Sequence, residues 1–412
     1  MPSTAHKAIQ KIVLGILLSG FLLTPARPCT VIVASGKATP DGKPLMWKNR
    51  DSSDTGNKML FVRGPRFGFV ALVEAAENEG REAWAGVNTQ GFCIINTASA
   101  DLLAEGEKSA DDNGTLMARA LGECANVAAF ESLLTRTNGQ RRTATNYCVI
   151  DAEGNACIFE TSGSGFVKFD TKDLRVAPFG YLVRTNYAYS AGGKPGGGGY
   201  IRFDRASHLA QTAVAEKNLT PKFILQSVAR DLVNEKLLSD PWTTPLPHDP
   251  ATPLYIVAND TISRASTVSA ALFHGVSSPD KAELTTMWVL LGQPVMTAAV
   301  PLWAAAEKVP AVLSGPKTAP MNDLARALTP FLFPDRRGGL TTYMNISSLR
   351  TYGGEGILPK LFRIEDPIFQ SVAEALKDWD KAMPPASKFF EFEDGLAAGV
   401  YQSLGDAFPQ IK

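Results

Sequence analysis

A strand-turn-strand pattern that begins at a cysteine constrains this chain more than any other feature. Cys29-Thr30-Val31-Ile32-Val33 is apolar and β-branched, Pro40-Asp41-Gly42-Lys43 reads as a turn, and residues 44–48 start a returning strand that runs into Lys48-Asn49-Arg50-Asp51. Side chains alternate along a strand, so Lys48 and Arg50 share one face. The hairpin also brings Asp51, at the end of the second strand, back beside Cys29 at the start of the first.

What precedes Cys29 gives it a chemical meaning. His6, Lys7 and Lys11 form a cationic start, residues 12–23 are apolar, and Thr24-Pro25-Ala26 offers the small residues a signal peptidase reads. The stretch is shorter than the roughly 20 residues needed to span a bilayer. Residues 1–26 are therefore expected to be a signal peptide. The protein is expected to be exported, periplasmic or extracellular, with no stable membrane insertion after the signal is removed. Residues 27–28 would remain as a short propeptide whose removal needs a second, autocatalytic cut. Arg27-Pro28 lacks the small residue that precedes a lipidated cysteine, which argues against a lipid anchor. Once exposed, Cys29 carries both a nucleophilic thiol and an α-amine with an unperturbed pKa of about 7.7–8.0, suited to act as its base.

Composition removes other classes. Lysine plus arginine and aspartate plus glutamate each number 41, so no basic field attracts nucleic acid. A chain of 412 residues suits one elaborated domain or two closely packed lobes. Beyond His6, the histidines His208, His248 and His274 are scattered, and the cysteines lack ligand spacing, so no metal, cofactor or conventional Cys-His pair is expected. With Cys29 as the odd cysteine, Cys93, Cys124, Cys148 and Cys157 are buried thiols or disulfide partners. The glycine-rich residues 192–199 lack the Gly-Lys-Ser/Thr of a phosphate cradle and read as a loop.

Further strands are expected over 67–74, 82–86, 92–96, 147–150 and 156–160, with helices over 113–121 and 127–135 between them. Residues 200–215 and 221–234 read as helical, 241–253 as a proline-rich connection, 254–257, 265–274 and 286–291 as strands, and 319–329, 367–381 and 393–404 as helices.

Four ordered motifs carry a family resemblance. Cys29-Thr30, Lys48-Asn49-Arg50-Asp51, Thr185-Asn186 and Arg202-Phe203-Asp204-Arg205-Ala206 together resemble the N-terminal-nucleophile (Ntn) cysteine hydrolases of linear amides. That superfamily includes choloylglycine hydrolases, penicillin V acylases, acid ceramidase-like amidases and isopenicillin-N N-acyltransferase-like enzymes. The turn at residues 86–91 followed by 92–97 is similar to the family's central strand, and residues 36–42 are similar to its cysteine dipeptidases.

The resemblance implies an α+β fold, a four-layer αββα sandwich with C-terminal helical elaborations, in which residues 29–412 form the hydrolase domain and about 240–412 elaborate the substrate pocket. It implies Cys29 as nucleophile and Asp51 orienting the α-amine. Asn186 would donate its amide to the oxyanion, a backbone N–H near Asn96 or Thr97 would be a second donor, and Arg202 would balance charge. Lys48 departs from the arginine or glutamine found at its position, and it cannot reproduce a guanidinium fork; Arg50, on the same face, is placed to supply one. Trp47, Tyr187, Tyr189 and Tyr200 either line an acyl pocket or pack in the core. The implied reaction is hydrolysis of a small-molecule, non-peptide amide through an acyl-thioester. An acyltransferase, a cysteine dipeptidase and a non-catalytic envelope protein are the alternatives, the last favoured by Pro28 ahead of Cys29. A homo-oligomer stays open.

Overall fold

The computed structural model describes residues 29–103, 112–192, 198–243, 245–333 and 343–409. The expected signal peptide, the Arg27-Pro28 dipeptide and residues 193–197 of the glycine loop lie outside them.

The hairpin at Cys29 forms as the sequence expects. Strands β1 (Thr30–Ala34) and β2 (Leu45–Asp51) pair antiparallel, with Thr30 opposite Asn49 and Val31 opposite Lys48. The chain then runs through β3 (Asn57–Arg63), β4 (Gly68–Glu74), β5 (Ala85–Asn88), β6 (Cys93–Ala98), β7 (Thr145–Ile150), β8 (Ala156–Thr161) and β9 (Phe166–Asp170). These seven make one antiparallel sheet in sequence order. Strand β10 (Tyr181–Arg184) returns to the other side of β1. Strand β11 (Tyr255–Val257) stands apart, whereas β12 (Thr267–His274), β13 (Thr286–Leu291) and β14 (Val300–Leu302) extend the hairpin from β2. The second sheet therefore has the order β10-β1-β2-β12-β13-β14, and β11 pairs with β15 (Tyr343–Asn345) in a separate ribbon.

Period-two alternation decides which face of the seven-stranded sheet meets what. Val70, Leu72, Val87, Ile95, Cys148 and Ile158 join the core shared with β1 and β2. Their neighbours Phe69, Ala71, Ile94, Tyr147, Val149 and Phe159 join a separate cluster with helices α1 (Asn113–Glu123) and α2 (Val127–Arg136). On the other sheet, α3 (Tyr200–Ala215) lies against β1 and β10. Its inward residues Ala206, Ala210 and Ala213 are small and fully buried, which allows close approach. The two sheets thus face each other, with helices on both outer sides.

The C-terminal part adds α4 (Pro320–Ala327), α5 (Ile357–Trp379) and α6 (Ala386–Ala407). Helix α5 starts ten residues before the expected boundary at Pro367, which lies inside it. An interior proline costs a helix about 3 kcal/mol, and burial offsets it here. Leu361, Ile368 and Val372 face the core, and Glu365 is locked to the Arg230 guanidinium and the Ala299 N–H. Helix α6 packs on β14, four strand spacings or about 19 Å from β1. From residues 240–412, β12 pairs with β2 of Cys29's hairpin, and Arg264 and Thr267 at its start reach Asp51. No helix among the described residues is long and apolar enough to cross a membrane.

All five cysteines are buried thiols outside any disulfide. Cys93 and Cys148 point between the sheets while Cys124 and Cys157 belong to the helix-side cluster, and the structure holds all four as free thiols. Burial pushes the Cys124, Cys148 and Cys157 thiols up to about 12, and Cys93 well above its ordinary value.

Candidate active site

Cys29 sits directly ahead of β1, between β2 and β10, and is 5% exposed. Its backbone N–H donates to Asn186 Oδ1 at 2.9 Å. Arg202, from the first turn of α3, donates through Nη1 to the Cys29 carbonyl at 2.6 Å and to Thr30 Oγ1 at 2.7 Å, and through Nη2 to Asn186 Oδ1 at 2.8 Å. Residues 157 and 173 positions apart in sequence therefore close on one backbone unit. Burial, and then repulsion from Arg264, bring Arg202 down to about 9, with Asp51 and Cys29 opposing.

Local structure fixes both partners. Asn186 ends β10's extension, where its N–H bonds the Gly198 carbonyl at 2.9 Å and Thr185 Oγ1 bonds the same oxygen. Gly198 leads into α3, so Asn186 and Arg202 are tied through one short bridge. The other limb of this loop is held by Glu160, whose carboxylate takes the N–H groups of Tyr189 and Ser190 and the buried Arg184 guanidinium. Gly199 has φ +80, and a Cβ there would fall on the Arg202 guanidinium.

Asp51 lies on the α3 side of β2. Its Oδ2 accepts from Arg264 Nε at 3.0 Å and Nη2 at 2.6 Å, and its Oδ1 from Thr267 at 2.6 Å. The acceptor placed on the Cys29 nitrogen is Asn186, whose own amide Nδ2 meets the Ala98 carbonyl at 2.9 Å. The sequence reading gives the first task to Asp51 and the amide to an oxyanion.

Lys48 and Arg50 do share a face, the one toward the seven-stranded sheet. Lys48 Nζ donates to Asn96 Oδ1 at 2.8 Å and to the Trp84 carbonyl at 2.9 Å. Burial pulls Lys48 down to about 8, against the Cys29 thiol, whose negative form supports the ammonium. Arg50 reaches Glu74 at 2.6 Å and Asn57 at 2.9 Å, and its guanidinium lies 5.1 Å over the Trp84 ring. Asn96 and Thr97 pair with Tyr147 and Asn146 of β7; Thr97 Oγ1 accepts from Asn146 Nδ2 at 3.0 Å.

Of the aromatic residues, Trp47 is fully buried core. Tyr187 and Tyr189 meet the Phe203 ring edge-on, their ring centroids 5.6 and 5.9 Å from that of Phe203, and the Arg184 guanidinium lies 3.9 Å over Tyr189. Tyr200 instead meets Lys236. A surface cavity of about 580 Å³ lined by Phe61, Arg63, Gln90, Pro384 and Phe389 lies elsewhere and includes none of the residues around Cys29. No group of three or more His, Cys, Asp or Glu among the described residues is arranged to hold a metal ion.

No family model matches the chain, and no curated protein matches it in sequence. Solved structures overlap it weakly. A mutant of conjugated bile acid hydrolase from Clostridium perfringens has TM-score 0.40 and 10% identity, covering 67% of this chain and 92% of its own. Penicillin V acylase from Agrobacterium tumefaciens has TM-score 0.39 and 14% identity over 67% and 86%. The Caenorhabditis elegans ortholog of N-acylethanolamine-hydrolyzing acid amidase has TM-score 0.38 and 15% identity over 62% and 95%. At these scores an overlap assigns neither fold nor activity.

The sequence reading missed Arg264 and Thr267. Their one available signal was position, since both stand at the start of a strand that pairs with β2, and that pairing is not visible from residues 213 and 216 positions away.

Proposed function

We infer that the chain is an exported, self-processing N-terminal cysteine amidohydrolase that cleaves linear, non-peptide amides, on a four-layer αββα sandwich. The observation that carries this reading is the closure of Asn186 and Arg202 on Cys29: two of the four ordered motifs meet the third at its nitrogen and carbonyl. A site that grips the backbone of a cysteine on both sides is suited to a residue whose nitrogen has chemistry to do.

In this reading the freed α-amine takes the thiol proton, and Sγ attacks the substrate carbonyl. The amine leaves with a proton returned from the same base, and water hydrolyses the acyl-thioester. Asn186 Oδ1 orients the amine. Its Nδ2 exchanges the Ala98 carbonyl for the oxyanion, beside a backbone N–H from the Asn96-Thr97 stretch, each such donor being worth roughly 2.7–4 kcal/mol. Asp51, held by Arg264, supplies negative charge on the far side of Arg202. Tyr187 and Tyr189 offer an apolar wall for the acyl group.

N-terminal sequencing of the secreted protein, with assays on amides bearing aromatic, fatty and steroidal acyl groups, tests this. Cys29 as the first residue and loss of all turnover in Cys29→Ala are the expected results. A fully active preparation that still carries Pro28 rejects the reading. Adding a competing amine separates transfer from hydrolysis, and a requirement for a free substrate α-amine identifies a dipeptidase.

A further inference from the structure

The full chain poses a problem that the α-amine cannot solve. While Pro28 is attached, the Cys29 nitrogen is a resonance-stabilised amide with no basic lone pair. The self-cleavage that frees it needs another base. The histidines among the described residues lie elsewhere: His208 meets Glu235, His274 meets Asp41 and His248 stacks on Tyr352. Arg202 is pinned to the Cys29 carbonyl, and Asp51 is occupied by Arg264 and Thr267 on the opposite face of β2.

Lys48 is placed otherwise. It pairs across the hairpin with Val31, and alternation puts Cys29, two residues earlier, on the same face as Val31. Diagonal partners in such a pair stand about 7–8 Å apart, within reach of a lysine. A neutral amine has two N–H groups and one lone pair. Asn96 Oδ1 and the Trp84 carbonyl accept two N–H bonds from Nζ, which leaves the third tetrahedral position for a proton.

We propose that Lys48 accepts the Cys29 thiol proton in the step that releases Pro28, an inference that rests on Cys29 being the nucleophile. Sγ loses its proton to neutral Nζ and bonds to the Pro28 carbonyl carbon. The tetrahedral adduct collapses by breaking the Pro28–Cys29 C–N bond, and Nζ returns the proton to the departing nitrogen. This leaves a Pro28 thioester on Sγ and a free Cys29 amine; water hydrolyses the thioester, yielding the Pro28 carboxylate and the thiol. Thereafter the α-amine serves as base. Burial supports the assignment, because it brings Lys48 to about 8, where a neutral fraction exists at working pH. The charged or titratable groups acting on Lys48 are Cys29, Arg50, Asp51 and Cys148.

The test is cleavage of full-length chain made by cell-free synthesis, followed by intact mass against time between pH 6 and 9.5. Wild type is expected to cleave ahead of Cys29 with a rate rising about tenfold per pH unit and levelling near pH 8. Lys48→Arg, which keeps a cation but cannot deprotonate, and Lys48→Met are each expected to slow cleavage at least a hundredfold. Asn96→Asp sets a carboxylate against Nζ and is expected to move the rise to higher pH while keeping the plateau. Cleavage of either Lys48 variant within about threefold of wild type, or an unmoved profile in Asn96→Asp, overturns the proposal. If Cys29→Ala is blocked while the Lys48 variants cleave normally, only the role of Lys48 falls. If Cys29→Ala cleaves as wild type does, or wild type never cleaves, the nucleophile reading falls with it.

Discussion

Asp51 and Arg264 form a buried ion pair whose two members come from different parts of the chain, and it illustrates what a single side chain contributes at this site. Both Arg264 bonds to Oδ2 sit where water is scarce, the Arg264 side chain being 10% and that of Asp51 1% exposed. Such a pair adds little net stability over an apolar replacement, but removing one member strands the other. Arg264→Met is therefore expected to lower unfolding free energy by roughly 3–5 kcal/mol, read from urea denaturation, and the double variant with Asp51→Leu to recover most of it. A loss as large in the double variant contradicts this account. The asymmetry of legibility also belongs to single residues. Cys29 was readable because an apolar stretch of sequence and a hairpin pattern flank it locally. Arg264 was not, since its partner is set by which strand lands beside β2. Lys48 showed as a departure from a motif, but its neighbours Asn96 and Trp84 come from the facing sheet.

Among elements, α3 shows how a helix start becomes part of a site. Its N-cap Gly199 adopts φ +80 and stands over Arg202. Gly199→Ala is expected to cost about 1–2 kcal/mol from the left-handed backbone alone, and also to displace Arg202, reducing the release of Pro28. Gly395→Ala and Gly399→Ala in α6, where a Cβ meets nothing within 4 Å, are expected to stabilise by about 0.8–1 kcal/mol each and leave processing unchanged. Thermal melts with mass analysis distinguish the two groups. The bounds of α3 and β13 agree with the sequence reading. Five strands were not anticipated: β3 has a run of apolar residues without alternation, β9 is a short and partly exposed edge, β10 has only four residues, and β14 and β15 have only three each. The start of α5 was hidden by Pro367, whose penalty is overridden by packing that a local window does not contain.

For the molecule as a whole, one buried acid lends its stability a pH dependence. Glu393 on α6 is fully buried; Oε2 accepts the Trp303 backbone N–H at 2.9 Å, and Oε1 has no hydrogen-bond partner. Burial lifts its carboxyl well above the ordinary range, the Trp303 bond lowering it and Asp394 adding to the rise. Below about pH 4.3 folded and unfolded chains both hold this proton. At higher pH the unfolded chain releases it first, so this contribution to stability is lost progressively as pH rises toward and through the raised value. Glu393→Gln is expected to flatten that part of the decline in urea midpoint between pH 5 and 9; a slope equal to wild type's counts against it. Mixed strands and helices were legible in the sequence, but their stacking was not, since period two tells which residues share a face but not what covers it.

The position of β1 in its sheet also sets an order of events during synthesis. The thiol-bearing residue emerges early, yet Asn186 follows 157 residues later, Arg202 173 later, and the Arg264 that holds Asp51 lies 213 beyond that aspartate. A nascent or truncated chain that ends before β12 has the cysteine but not its surroundings. Only a polypeptide finished past that point assembles the whole cage around Cys29, a dependence on chain completion that topology alone imposes.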